Sequence, residues 1–332
     1  MTLLRDSLTP AVSTPAASAS ASASVGLALA LADLTPAALA RVVERAIPRI
    51  ACDLRPDVAA ALKRALGTET NERGRVVLGQ LVENARIAAE QRVPLCQDTG
   101  SVWILLEVGE CDAAGNKIAI PSNIFSLVDK AVAAAYDAAA LRRSLVRDAL
   151  CDRSNTGDNT PAFCELYLNP HLRGATLHIM LKGGGSDNAS RVVMLPPGAG
   201  REGVRRAILD AVAEKGESAC PPLIIGIGVG STFDKVGGMA KRALLRSIDT
   251  PNPDAQLAAF EQGLLADINA LGIGPGGFGG ATTALAVHVL TAPCHIAALP
   301  VAINIGCNSL RSASLDLAAA FKDAENGGES TP

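Results

Sequence analysis

The chain has 332 residues and a formal net charge of −3. Apolar residues make up 48% of it but aromatic residues only 3%, so Ala, Leu, Val and Ile must fill its core. Its lysines and arginines are scattered, which argues against a nucleic-acid partner. Every apolar stretch is interrupted before the roughly 20 residues that a membrane span needs, so no span is expected. Eight cysteines in an acidic chain without a clean secretory signal indicate reduced thiols and favour a cytoplasmic protein.

The first 33 residues are predicted to be a disordered extension. Ala, Ser, Thr and Pro dominate residues 9–25 and offer nothing large to bury. The A-x-A triplets there resemble a signal-peptide cleavage site, but Asp6 and other polar residues precede any apolar run, which argues against a signal peptide. The globular part is expected over residues 34–318, and residues 319–332 are expected to form a polar tail.

The globular part is predicted to begin with helices and to continue as alternating strands and helices. Thr35, before Pro36, is the expected cap of the first helix, and helical periodicity continues into the eighties. The later helix over STFDKVGGMAKRALLRS is expected to be capped by Ser231. Strands are predicted over SVWILLEVGE, ATLHIML, PLIIGIG, TTALAVHVL and LPVAINIG. This order predicts an α/β fold in which helices flank a mixed sheet and glycine-rich loops lie at strand ends.

Three cysteines lie far apart, each inside a glycine-rich or polar motif. They are Cys96 in VPLCQDTG, Cys220 in SACPPLIIGIGVG and Cys307 in VAINIGCNSLRSA. If they converge in space, they form a three-thiolate site that leaves one coordination position open on a metal or cluster. From the residues alone, an iron-sulfur cluster and a zinc ion with His295 as fourth ligand both remain possible occupants.

The glycine clusters give weaker signals than the cysteines. GIGVGS follows a strand but has G-x-G-x-G spacing, which argues against dinucleotide binding, and GIGPGGFGG lacks the Lys-Ser/Thr ending of a phosphate-binding loop. NTGDNTPA and KGGGSDN combine amide, hydroxyl and carboxylate groups with glycine, as either a small-anion site or a turn network would. Gln97 and Asp98 directly follow Cys96, where an acid or base beside a bound substrate is needed.

Taken in order from about residue 40 to 315, these motifs resemble the iron-sulfur hydro-lyases of the class I fumarase and tartrate dehydratase family. The matching motifs are CQDTG, LRRS, NTGDNTPA, KGGGSDN, ACPPLIIGIG, KRALLR, GIGPGGFGG-TTALAVHV and HIAALPVAINIGC. In particular, the chain looks like the alpha subunit of the two-subunit form. The resemblance implies a 4Fe-4S cluster held by Cys96, Cys220 and Cys307, with the fourth iron free for substrate. The other cysteines, Cys52, Cys111, Cys151, Cys164 and Cys294, are expected to be structural.

The resemblance also implies roles for substrate-facing residues. Asp98 is expected to protonate the departing hydroxyl, with Gln97 beside it. Arg142, or Arg143 in the alternative register, is expected to bind the distal carboxylate. His295 matches the substrate-facing histidine of the family. Backbone N–H groups are expected at the same anion from Gly183, Gly184 and Gly185.

The implied reaction is the reversible hydration of fumarate to (S)-malate, a small dicarboxylate reaction. Tartrate dehydratase and methylfumarate (mesaconate) hydratase are the alternatives in the same class, and a non-enzymatic iron-sulfur sensor is the alternative of another class. The catalytic base has no match in this chain, so a beta subunit is expected to supply it. A histidine that reaches a neighbouring subunit's site is known in the family, which favours a symmetric oligomer. Two departures from the family are Gly276 after GIGP and NSLRS after Cys307.

Overall fold

The computed structural model describes residues 34–325, so the predicted N-terminal extension lies outside the described residues, as does the end of the predicted tail. Within this part the elements alternate as an α/β fold, as the sequence predicts. The helices are α1 Pro36–Cys52, α2 Pro56–Thr68, α3 Glu72–Gln91, α4 Val128–Ala138, α5 Gly184–Asn188, α6 Gly200–Lys215, α7 Phe233–Ala243, α8 Ala255–Ala270 and α9 Leu317–Glu325. The strands are β1 Ser101–Val108, β2 Phe163–Leu168, β3 Ala175–Lys182, β4 Arg191–Leu195, β5 Leu223–Ser231, β6 Ala284–Cys294, β7 Leu299–Gly306 and β8 Arg311–Asp316.

The first three helices confirm the predicted helical beginning. The Thr35 hydroxyl accepts a hydrogen bond from the Ala38 amide at 3.1 Å, so Thr35 is the N-cap of α1 and Pro36 takes the first helical position. The buried side of α1 packs on α4 and on the first sheet. Helix α9, behind the same sheet, occupies the first part of the predicted tail.

The strands form two four-stranded mixed sheets rather than one. The first sheet has the order β2-β1-β3-β8, with β1 parallel to β2 and antiparallel to β3. Val102, Ile104 and Leu106 of β1 face the core with α1 and α4, whereas Trp103 and Leu105 face the second sheet. Burial on both faces explains why the strand reads as a continuous apolar run instead of an alternating one.

The second sheet has the order β4-β7-β5-β6, with β5 parallel to β6 and antiparallel to β7. One face of β5 packs with α6 and α8, and Ile224 on the other face joins Trp103 and Met180 in the core between the sheets. The two sheets therefore share an interface, and loops from both can meet at its edge.

Helix α7 packs directly on the glycines of β5. A Cβ atom at Gly226 would lie 2.1 Å from the Ala240 carbonyl oxygen, and one at Gly228 would lie 2.6 Å from the Val236 carbonyl oxygen. The GIGVG motif therefore brings a helix against a strand, which agrees with the argument against dinucleotide binding. The predicted cap of α7 was wrong by one residue: Ser231 ends β5 with φ 62°, and Thr232 is the N-cap.

No helix in the part of the chain that the structure describes is long and apolar enough to cross a membrane.

Candidate active site

Cys220 and Cys307 lie at the same end of the second sheet. Cys220 precedes β5 and Cys307 follows β7, and these antiparallel strands pair with Ile224 opposite Gly306. The Asn308 backbone amide and its side-chain Nδ2 both donate to the Cys220 carbonyl oxygen, at 3.2 and 2.8 Å. The residue after one cysteine thus fixes the backbone of the other.

The third cysteine, Cys96, lies in the loop between α3 and β1. Burial raises the pKa of the Cys220 thiol, and the negative charges of Cys307 and Cys96 raise this pKa further, so all three sulfurs lie within electrostatic range of one another. All three are free thiols. Cys220 adopts φ 56°, an uncommon left-handed conformation for a non-glycine residue, and such residues cluster at functional sites.

The three thiols suit an iron-sulfur cluster by their chemistry, because thiolates are the donors that such clusters use. Among residues 34–325, no three His, Cys, Asp or Glu side chains are spaced to hold a single ion. Three thiolates also leave one iron of a four-iron cluster without a protein ligand.

His295 is not near Cys307 within this chain. It lies in the exposed turn between β6 and β7, where its Nδ1 accepts a hydrogen bond from the Ala297 amide at 3.1 Å. The eight residues of β7 separate this turn from Cys307, which at about 3.3 Å per residue is roughly 25 Å. A zinc site made of the three cysteines and this histidine is therefore excluded within one chain.

Asp98 lies against the KGGGSDN turn. One carboxylate oxygen accepts a hydrogen bond from the Gly100 amide at 3.0 Å and the other from the Gly184 amide at 2.8 Å. Next to it, the exposed Gln97 accepts a bond from the Cys96 thiol at 3.4 Å through its Oε1. The structure thus brings Gln97, Asp98 and the glycines together, but the Gly184 N–H is engaged by Asp98 itself.

The LRRS and NTGDNTPA segments support the loop that carries Asp98. The Thr99 hydroxyl donates to the Arg142 carbonyl oxygen. The fully buried Asn159 accepts from the Ser144 amide at 2.7 Å and donates to the Gly100 carbonyl at 3.1 Å. NTGDNTPA is therefore a turn network that holds the site loops, one of the two alternatives for this motif.

Of the two adjacent arginines, Arg143 is engaged and Arg142 is not. Arg143 forms an ion pair with Asp137 at 2.6 Å, whereas Arg142 is exposed and takes part in no ion pair among the described residues. The geometry favours Arg142 as the guanidinium available to a substrate carboxylate.

Two buried cations at the site were missed by sequence reasoning. The Lys182 ammonium, on a residue that is 3% exposed, donates to the Ile305 carbonyl at 2.7 Å and to the Ser186 hydroxyl at 2.9 Å. Burial lowers the pKa of Lys182 to about 8. Arg311, which is 2% exposed, donates to the Asp98 carbonyl oxygen. The sequence signals that could have found them are the position of Lys182 directly before the three glycines and that of Arg311 four residues after Cys307.

The GIGPGGFGG loop supports the site from outside. The Gly276 amide donates to the Pro221 carbonyl at 2.9 Å, one residue after Cys220. The buried Glu69 accepts hydrogen bonds from the Ala281 and Thr282 amides and so holds the end of the loop. This loop is structural, and its glycines serve its backbone turns.

Comparison with known proteins agrees with this arrangement. The family model described as fumarate hydratase (Fumerase) matches residues 40–316. A protein assigned as the alpha subunit of L(+)-tartrate dehydratase in Methanocaldococcus jannaschii is 37% identical over 272 residues, 81% of this chain and 94% of the relative. The alpha subunit of L(+)-tartrate dehydratase of Escherichia coli K12 is 28% identical over 280 residues, 83% of this chain and 90% of the relative. The site motifs and these matches together show that the chain belongs to the fumarate hydratase (Fumerase) family of hydro-lyases.

Proposed function

We propose that this chain is the alpha subunit of a hydro-lyase that reversibly hydrates fumarate to (S)-malate. The observation that supports the proposal most is that Cys220 and Cys307 lie at the same end of paired strands, and that Cys96, two residues before Asp98, lies within electrostatic range of Cys220. The alpha-subunit names of the relatives support the need for a beta partner. The cytoplasm is the proposed compartment.

Cys96, Cys220 and Cys307 would hold a 4Fe-4S cluster. When bound, a cluster with one iron lacking a protein ligand supplies a Lewis acid for the substrate hydroxyl and one carboxylate. The thiols are brought together by strand ends from the second sheet and by the loop before β1. An iron-sulfur sensor would share these ligands, but the family match and the acid beside the thiols favour an enzyme.

The residues around the thiols account for binding and proton transfer. Asp98 gives a proton to the departing hydroxyl in dehydration and takes it back in hydration. Gln97 donates its amide to the substrate from the next position of the loop. Arg142 binds the distal carboxylate, and the backbone N–H groups of Gly183 and Gly185 face the same anion.

Two functional groups must come from other chains in this proposal. The base that removes the C3 proton belongs to the beta subunit, whose existence is implied by the alpha-subunit names of the relatives. His295, at the far end of β7, would reach the site of a second copy in a symmetric oligomer.

L(+)-tartrate is the second candidate substrate, because the relatives at 37% and 28% identity carry that name. The test is an anaerobic assay of the complex with its beta chain on fumarate, L(+)-tartrate and mesaconate at matched concentrations. The proposal predicts the highest kcat/KM with fumarate. A higher value with tartrate would move the chain to the second candidate, and turnover of none of the three would refute hydro-lyase activity on these diacids.

A further inference from the structure

Arg311 is a buried guanidinium that joins three motifs of the site. It follows Cys307 by four residues and begins β8, where it pairs with Leu181 at the end of β3. Its Nη1 donates to the Asp98 carbonyl oxygen, across 213 residues of sequence. The loop of the third cysteine, the end of β3 and the loop that carries Asp98 thus meet at one side chain.

The charge of Arg311 has no acidic partner in the part of the chain described. No ion pair includes it among residues 34–325, and its buried Nε lacks a hydrogen-bond partner. Burying an unpaired charge is costly, so a chain keeps such a group where an anionic partner or a specific geometry compensates. Two other arginines with little exposure do form ion pairs: Arg246 lies 2.6 Å from Glu261, and Arg55 pairs with Asp57.

Gly183 lies between Arg311 and the Asp98 carboxylate. A Cβ atom at this glycine would lie 3.4 Å from Arg311 Nη2 and 3.3 Å from Asp98 Oδ2. The guanidinium therefore holds the Asp98 peptide by its carbonyl, while the Gly100 and Gly184 amides hold the carboxylate oxygens. Three donors from three different segments determine where this carboxylate can be.

We propose that Arg311 is the positioning residue for Asp98. It fixes the backbone of Asp98 and lies beside the turn that receives the carboxylate, so it sets the distance between this acid and a bound substrate. This positioning role rests on the proposed function, in which Asp98 is the proton donor. A displacement of about 1 Å at a catalytic group costs roughly 100-fold in rate, which sets the expected scale.

The test uses the anaerobic complex with its beta chain and three variants. Arg311→Gln removes the charge and the guanidinium that donates to Asp98, and Arg311→Lys keeps a charged donor. Arg246→Lys is the control at a partly buried arginine outside the site. Arg311→Gln is expected to lower kcat about 100-fold, with KM for fumarate within about threefold and iron per chain unchanged. Arg311→Lys is expected to recover about tenfold of that loss, and Arg246→Lys is expected to keep the wild-type kcat.

Amide hydrogen exchange gives a readout that needs no turnover. In Arg311→Gln, peptides that contain Gly100 and Gly184 are expected to exchange about tenfold faster than in the wild type, because their acceptor is no longer fixed. Arg311→Lys should show a smaller increase, and it replaces the glutamine variant if that variant does not fold. If the wild-type complex had no activity on any diacid but Arg311→Gln still showed faster exchange at Gly100 and Gly184, the proposed function would be refuted and the positioning of Asp98 by Arg311 would be supported. The positioning role would be overturned if the folded Arg311 variants showed unchanged exchange and unchanged kcat. It would also be overturned if kcat fell only in proportion to the loss of iron per chain.

Discussion

The substitution Gly183→Ala tests how closely the KGGGSDN turn approaches Asp98. Gly183 has φ −70° and ψ 141°, which alanine adopts without strain, so its backbone conformation does not require glycine. The added methyl would lie 3.3 Å from Asp98 Oδ2 and 3.4 Å from Arg311 Nη2, closer than an optimal van der Waals contact. The carboxylate and the guanidinium must therefore each move by a few tenths of an ångström.

The expected cost falls on activity more than on stability. Alanine lowers the conformational entropy of the unfolded chain, which stabilises the folded state by about 0.4–1 kcal/mol. The displaced side chains destabilise it by about 0.5–1.5 kcal/mol. The free energy of unfolding should therefore change by less than about 1 kcal/mol. If a shift of about 1 Å costs roughly 100-fold in rate, a few tenths of an ångström should lower kcat about fivefold to tenfold. A tenfold loss corresponds to about 1.4 kcal/mol.

The assay compares three alanine variants in the anaerobic complex with its beta chain. At Gly184 the methyl would lie 3.8 Å from Asp98 Oδ2, an ordinary contact, so this variant should lose less kcat than Gly183→Ala. At the exposed Gly67 the methyl would meet nothing within 4 Å, so that variant should keep wild-type kcat. Full activity in Gly183→Ala, or an equal loss in Gly184→Ala, would refute the close approach.

Three further predictions concern other parts of the chain. Burial raises the pKa of Glu69, but hydrogen bonds from the backbone N–H groups of Asn71, Ala281, Thr282 and Thr70 lower it below its usual value. Glu69→Gln should therefore lower the free energy of unfolding by about 2 kcal/mol at pH 7. This difference should shrink as the pH falls through the pKa of Glu69 in the folded protein. Burial lowers the pKa of His288 to about 3 from 6.5. Between these two pKa values the unfolded state binds more protons than the folded state. When the pH falls from 7.5 to 5, the free energy of unfolding should therefore drop by about 2 kcal/mol more in the wild type than in His288→Leu. Arg142→Met should raise KM for fumarate roughly 30-fold through about 2 kcal/mol of lost charged hydrogen bonding, whereas Arg143→Met should leave KM nearly unchanged.

Urea unfolding measures the first two predictions, and steady-state kinetics measures the third. A pH-independent effect of Glu69→Gln would mean that its carboxylate is not held in the ionised form. Equal pH dependence in wild type and His288→Leu would contradict a neutral buried imidazole. A larger KM change in Arg143→Met than in Arg142→Met would reverse the assignment of the carboxylate-binding arginine.

The main elements of the fold could be predicted because their patterns are strong. Thr35 and Pro36 mark the start of α1, and the long apolar runs mark β1, β3, β5 and β7. The shorter β2, β4 and β8 were missed. The segment of β8, Arg311–Asp316, has no continuous apolar run, and its strand state depends on pairing with β3. Pairing across 130 residues is a tertiary effect that local sequence does not reveal.

The candidate site could be predicted as a set of residue types but not as an arrangement. The cysteine motifs predicted a convergence of three thiols, and the paired strands β5 and β7 place Cys220 and Cys307 at the same end of the second sheet. His295 is remote because it precedes β7 and Cys307 follows β7, so the length of an extended strand separates the two residues. Lys182 and Arg311 were missed because a lone basic residue is usually exposed, and only the packing of both sheets shows that these two are buried.

The most direct measurement counts iron and labile sulfide per alpha chain in the anaerobically purified complex, for the wild type and for single Cys→Ser variants. About four of each are expected in the wild type. A large loss is expected when Cys96, Cys220 or Cys307 is replaced. No change is expected in the Cys164→Ser control, because the half-buried Cys164 lies in β2, away from the three site cysteines. Stoichiometric zinc, no iron, or full iron in all three site variants would contradict a cluster held by these three cysteines.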